Sequence, residues 1–130
     1  MSPSQFGCEQ CFKADAEAVA RAKTKFQMIA RLVDESHFIV TIFACPHCRQ
    51  HCVSIFTEQI DWSEGDDAQY VNVLPITPAE SQELQKSGEN LVARLQALGQ
   101  NRAYLRDDSP TGAPRKIQWA NGGLWIGPHD

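Results

Sequence analysis

No apolar run in this chain approaches the length of a membrane span, so no transmembrane helix and no membrane partner are expected. Nor is a secretory leader expected. Met1 to Gln10 is short and polar, with no basic start and no apolar core, and the expectation is a protein that stays in the cytoplasm. The sequence has no internal repeat and no low-complexity tract. Basic charge is not in excess, with 12 Lys and Arg against 16 Asp and Glu and a net charge of −4. Phosphate contacts need a basic face, so this balance argues against nucleic-acid binding. H-E-x-x-H, G-x-S-x-G, a Walker loop and a dinucleotide fingerprint are all missing, which removes the commonest signatures of catalysis. The 130 residues, 42% of them hydrophobic, are enough for one domain spanning 1–130 and too few for two cores.

What the chain does have is cysteine in pairs. Cys8-Glu9-Gln10-Cys11 and Cys45-Pro46-His47-Cys48 each carry the C-x-x-C spacing that lets a tight turn aim two thiolates at one ion. Two such turns complete a tetrahedral site of four sulfurs, and zinc is the expected ion. Iron is the chemical alternative, because four thiolates also hold a single iron or an iron-sulfur cluster. Thiols in a cytoplasmic protein stay reduced, and an odd count of five cysteines cannot pair completely, so ligands plus a spare fit better than disulfides. Cys52 is the spare: it opens the apolar run of Val53, Ile55 and Phe56, where a free cysteine behaves as a small hydrophobe. His47, His51 and Cys52 itself lie close enough to Cys48 to be alternative ligands or partners of a ligand sulfur. Cys52 beside His51 could form an activated thiol, but neighbours on a strand point to opposite faces. Four cysteines close a zinc shell, whereas a catalytic zinc keeps a position open, so a structural site is expected rather than an enzyme.

The two cysteine turns resemble the knuckles of the zinc ribbon family, with the Cys-Pro-x-Cys form at Cys45 to Cys48 the most specific part. The resemblance covers the knuckles and the strands beside them, and it implies a single zinc on Cys8, Cys11, Cys45 and Cys48 at hairpin tips. The family often has a glycine after the second knuckle, where the chain turns left-handed; this sequence has Arg49. The insert from Phe12 to Ala44 is also longer than in a compact ribbon.

Along the chain, Val19, Ala22, Phe26, Ile29 and Val33 recur at helical spacing, and one long amphipathic helix is expected over Lys13 to Val33. Its outer face would carry Arg21, Lys23, Lys25 and Arg31. The competing pattern makes Phe26 to Val33 a strand, turned at Asp34-Glu35-Ser36. His37 to Ala44 and Cys52 to Ile60 read as strands of a hairpin with the second knuckle at its tip, and Tyr70 to Ile76 as a third strand ending at Pro75. His37, beside Asp34 and Glu35, reads as a surface ion pair rather than a second metal site. Thr77, Pro78 and Glu80 mark a capped helix start, with the helix running to Leu98 and an interruption at Ser87-Gly88. Asp107 to Pro114 reads as a loop, and Lys116 to Trp119 with Leu124 to Ile126 as a terminal hairpin around Asn121-Gly122-Gly123. Trp119 and Trp125 are assigned to covering the core.

The fold class expected is therefore α+β: a small antiparallel sheet with zinc-ribbon-like knuckles, two main helices and a C-terminal hairpin. The acidic stretch from Asp61 to Gln69 lacks the spacing of a calcium loop. Trp62 with Glu64, Asp66 and Asp67 has the composition of a partner surface, an aromatic ringed by charge. The functional expectation is a zinc-stabilised protein-interaction or regulatory module with another protein as partner. The alternatives are a redox- or metal-responsive thiol protein and, less favoured by the charge, a nucleic-acid binder.

Overall fold

The computed structural model describes residues 6–8, 11–12 and 15–129. Its fold is α+β, with a six-stranded antiparallel sheet and three short helices. The strands β1 (Gln27–Glu35), β2 (Phe38–Ala44), β3 (His51–Gln59), β4 (Ala68–Ile76), β5 (Ala103–Ser109) and β6 (Lys116–Asn121) lie in the sheet in sequence order. Ahead of them is α1 (Ala16–Ala22), which starts where the Asp15 carboxylate accepts the Ala18 N–H at 3.2 Å. Between β4 and β5 the chain leaves the sheet for α2 (Pro78–Gln85) and α3 (Leu91–Leu98).

The long helix expected over Lys13 to Val33 is confined to α1 and one 3₁₀ turn, Lys23–Lys25; Lys13 and Ala14 lie outside the described residues. From Gln27 onward the chain is strand, as in the competing pattern, and the turn falls at Ser36 and His37 because Asp34 and Glu35 still pair with β2. Pairing outweighs propensity here. Leu32 and Val33 pack on the main core from β1, a contact that the expected surface helix would not place beside Val40. The basic residues are accordingly split, with Arg21 on α1, Lys23 and Lys25 in the 3₁₀ turn and Arg31 on β1.

Strand alternation sends side chains to both faces, and both faces are covered. On one, Val40 and Ile42, Val53 and Ile55, Leu74 and Ile76, and Tyr104 pack against Leu84, Leu91 and Leu95 of α2 and α3. On the other, Cys52, Val73 and Leu105 receive Val19 and Ala20 of α1. The helical excursion begins with a reciprocal cap: Thr77 Oγ1 accepts the Glu80 N–H at 3.1 Å, and Glu80 Oε1 accepts the Thr77 N–H at 2.9 Å. It is interrupted at the expected place, where Gly88 takes a positive φ of 55°. It stops at Gly99, where a side chain would collide with Leu124, 2.1 Å from the position of its Cβ.

The C-terminal hairpin is present but is built from β5 and β6, and Leu124 to Ile126 is not a strand. Gly122 and Gly123 both adopt left-handed backbone, which carries the chain off the sheet instead of folding it back alongside β6. Leu124 then enters the core, the Gly123 carbonyl accepts the Tyr104 hydroxyl, and the Trp125 carbonyl accepts Asn72 Nδ2 at 2.6 Å. Trp119 packs with Phe12, edge to face at 5.3 Å, and Trp125 meets Tyr70 edge-on at 4.8 Å. His129 stacks on Phe38; Asp130 lies outside the described residues.

Candidate metal centre

The second knuckle is the connection between β2 and β3, and its backbone explains why two cysteines three residues apart face the same point. Arg49 N–H donates to the Cys45 carbonyl at 2.8 Å and Cys45 N–H to the Gln50 carbonyl at 3.0 Å, closing a tight loop. Arg49 itself sits at φ 65°, so the left-handed turn is kept without a glycine. An L-residue is strained there by about 1 kcal/mol. Arg49→Gly should raise stability by about that amount in urea titration with metal content unchanged. The first knuckle repeats the device, with the N–H groups of Cys11 and Phe12 both donating to the Cys8 carbonyl. Gly7, at φ 67°, leaves space that a Cβ would fill, 2.7 Å from Cys11 Sγ.

The two turns meet. Cys8 Sγ lies 3.9 Å from Cys11 Sγ and 4.0 Å from Cys45 Sγ, Cys11 Sγ lies 3.6 Å from Cys48 Sγ, and all four sulfurs fall within 4.8 Å of one another. A tetrahedron with metal–sulfur bonds of about 2.3 Å has edges of about 3.8 Å, so the three separations bracket the spacing that one ion requires. A disulfide would bring two sulfurs to about 2 Å, and none of the five cysteines is in one. Several irons in a cluster would hold the sulfurs farther apart, so the arrangement suits a single ion.

The surroundings favour a cation as well. Cys45 and Cys11 are buried, at 1% and 3% exposure, while Cys48 is open to solvent. Burial pushes the Cys11 thiol well above its ordinary value, the bond from the Cys8 N–H opposes this, and the Cys48 and Cys45 sulfurs raise it again. Burial also raises the Cys48 thiol, against the pull of the Gln50 N–H. Thiolates crowded in this way repel one another, and a bound cation would replace that repulsion with attraction. Phe12 and Phe6 stack edge to face beside the cluster and Phe12 meets Trp119, so the site rests on an aromatic floor.

Gln50 is a contributor that the sequence reading missed. Its Oε1 accepts the Gly7 N–H at 2.8 Å, and its Nε2 donates to the His51 and Ile76 carbonyls at 2.9 and 2.7 Å. One amide thus clamps the first knuckle to β3 and β4, and nothing in C-P-H-C-R-Q distinguishes it from a solvent-facing glutamine. Gln50→Ala should weaken metal binding by about tenfold or more, as loss of a group that orients ligands does, measured by competition with a chromogenic chelator.

Among the described residues, the group at metal-binding distance contains the four cysteines and neither His47, His51 nor Cys52. His47 is exposed on the knuckle and His51 pairs with Ala44 and Ile76 in the sheet. Cys52 is enclosed by Val19, Ala20, Val73 and Leu105, and burial above all pushes its thiol up to about 12, which leaves it a poor nucleophile. His37 pairs with Glu58 at 3.0 Å across the hairpin, not with Asp34 or Glu35. In the acidic loop, the Asp61 carboxylate accepts the N–H groups of Ser63, Glu64 and Asp66, and Asp67 accepts that of Asp61. Asp66 fastens the loop to Thr111 and Gly112. Trp62 projects from this frame at 87% exposure, with the Glu64 side chain also in solvent.

Compared with protein-family models, curated proteins and solved structures, the chain matches none at a significant level, so the likeness to zinc ribbons rests on the two knuckles alone.

Proposed function

We propose that this chain is a zinc-stabilised protein-interaction module of the cytoplasm, a single domain in which Cys8, Cys11, Cys45 and Cys48 hold one zinc ion. The observation that carries the reading is the four-sulfur cluster with the edge lengths of a single-ion tetrahedron. Four thiolates leave no open coordination position for substrate or water, so the ion's work is to hold shape. It ties the N-terminal limb to the β2–β3 connection and so fixes α1 against the far face of the sheet. The surface that meets a partner is the loop of Trp62, Glu64, Asp66 and Asp67. An exposed indole on a loop already ordered by its own hydrogen bonds loses little freedom on binding. Elemental analysis of the purified protein tests the metal: about one zinc per chain is expected, and a coloured protein containing iron would overturn the choice of ion.

A second reading is favoured by one feature, the exposed Cys48 sulfur 3.6 Å from the buried Cys11 sulfur. In a redox-responsive protein an oxidant reaching Cys48 would join that pair and release the ion. Unchanged metal content after mild peroxide treatment would exclude it.

A further inference from the structure

A groove of about 350 Å³ lies between the C-terminal end of α1 and the second knuckle, lined by Arg21, Ala22, Lys25, Phe26, Pro46 and His47. Its composition is selective. Ala22, Phe26 and Pro46 give an apolar lining, Arg21 and Lys25 put two exposed cations on the rim, and among the described residues none that lines it is acidic. The groove is large enough to admit one aromatic side chain with its neighbouring backbone. A segment that fits it carries an aromatic anchor flanked by carboxylates.

This chain displays one such segment, the ordered loop with Trp62 at its tip and Glu64, Asp66 and Asp67 beside it. Within one molecule the two cannot meet. The knuckle precedes the first residue of β3 and the loop follows its last, and nine strand residues hold them roughly 30 Å apart. We infer that the acidic Trp62 loop of one copy docks in the basic groove of a second copy, giving a head-to-tail contact between identical chains. The inference rests on the reading of Trp62 as a partner surface and names the partner. Because groove and loop are different patches, the contact is heterologous: every copy offers one of each, and association continues unless the arrangement closes on itself. Its small area and exposed charges imply weak binding that salt suppresses.

Sedimentation velocity on the full-length, metal-loaded chain tests it. Wild type should associate with a dissociation constant on the order of 100 µM at low salt, and the association should weaken as salt is added. Trp62→Ala, which removes the anchor, and the double variant Arg21→Glu with Lys25→Glu, which reverses the rim, should each weaken self-association by about thirtyfold or more. Mixed together, these two should form a one-to-one pair that grows no further, since only one intact loop and one intact groove can then meet. All the altered side chains are exposed, and circular dichroism checks that both variants stay folded. A wild type that stays monomeric at low salt up to several times that concentration overturns the second copy as partner and leaves Trp62 to a different protein. Association unaffected by Trp62→Ala overturns both that partner and the reading of Trp62 as a contact. A mixture that remains monomeric overturns the pairing of loop with groove.

Discussion

Chelating the ion should detach the N-terminal limb from the sheet while leaving the α2–α3 side of the core in place. Among the described residues, the limb is held by Val19 and Ala20 against β3 to β5, the Phe12–Trp119 pair, Arg102 over the Phe6 ring, and the Gln50 clamp on Gly7. The opposite face keeps Leu84, Leu91 and Leu95 against Val40, Val53 and Leu74, none of which depends on the cysteines. At a free zinc concentration about a thousandfold above its dissociation constant, the ion contributes about 4 kcal/mol. Its removal should lower the melting temperature of a chain this size by on the order of 15 °C. Trp119 reports on the change locally, since it packs against Phe12 in the aromatic floor; chelation should shift its emission to the red, and Trp119→Phe should abolish most of the shift. Cys45→Ala should reproduce the chelated state even with zinc in excess. Cys52→Ala should keep a full metal complement and lose only a little packing. Full metal binding by Cys45→Ala, or none by Cys52→Ala, would sink the assignment of ligands.

These two cysteines show where the sequence was legible and where it was not. Ligand spacing is a local property, so both knuckles could be read directly, and the convergence of their sulfurs is what that spacing implied. The capping box at Thr77 and the break at Gly88 are local in the same way. The first strand was hidden for a definite reason. Register shifts in its pairing with β2, between Met28 and Ala30 and between Arg31 and Val33, destroy the two-residue alternation that would have marked it. What remains is Phe26, Ile29 and Val33 at helical intervals. The fifth strand was obscured by its charges: Asp107 and Asp108 read as loop, yet Asp107 is buried because Arg115 meets it with two hydrogen bonds of 2.8 Å. Partners so far along the chain leave no mark on local composition. Gln50 and Arg102 were missed for the same reason, since each acts on residues that only the fold brings near.

Arg102→Ala should be among the most damaging single changes outside the metal centre, costing about 3–5 kcal/mol in urea denaturation at pH 7. Arg102 is 8% exposed, and besides a bond from its Nε to Asn101 Oδ1 at 3.3 Å its guanidinium has three tasks. It makes paired bonds of 2.8 and 3.0 Å to the two Glu80 oxygens, donates to the Pro75 carbonyl at 3.1 Å, and lies over the Phe6 ring at 5.0 Å. It thus joins the cap of α2, the end of β4 and the aromatic floor of the metal centre. Without it, the Glu80 carboxylate keeps its burial and loses its counter-charge. Arg102→Lys should recover part of the loss, because an ammonium restores the charge but not the two-pronged geometry.

The pH dependence distinguishes lost charge from lost packing. Burial acts to raise the Glu80 carboxyl, but the Arg102 bonds, the Thr77 N–H and the Arg102 charge outweigh it and hold the group below the usual carboxylate range. A depressed carboxyl contributes stability that is fully present above its unfolded value of about 4.3 and is lost as pH falls through the folded one. In Arg102→Ala only burial and the cap remain, and the carboxyl moves up. The variant therefore loses less than wild type on acidification, and its deficit should shrink as pH falls from about 5 to about 3. Taking the difference between the two proteins at each pH cancels the metal site's own response to acid. A deficit that is constant across this range would mean that Arg102 acts through packing alone, and that its pairing with Glu80 contributes nothing to stability.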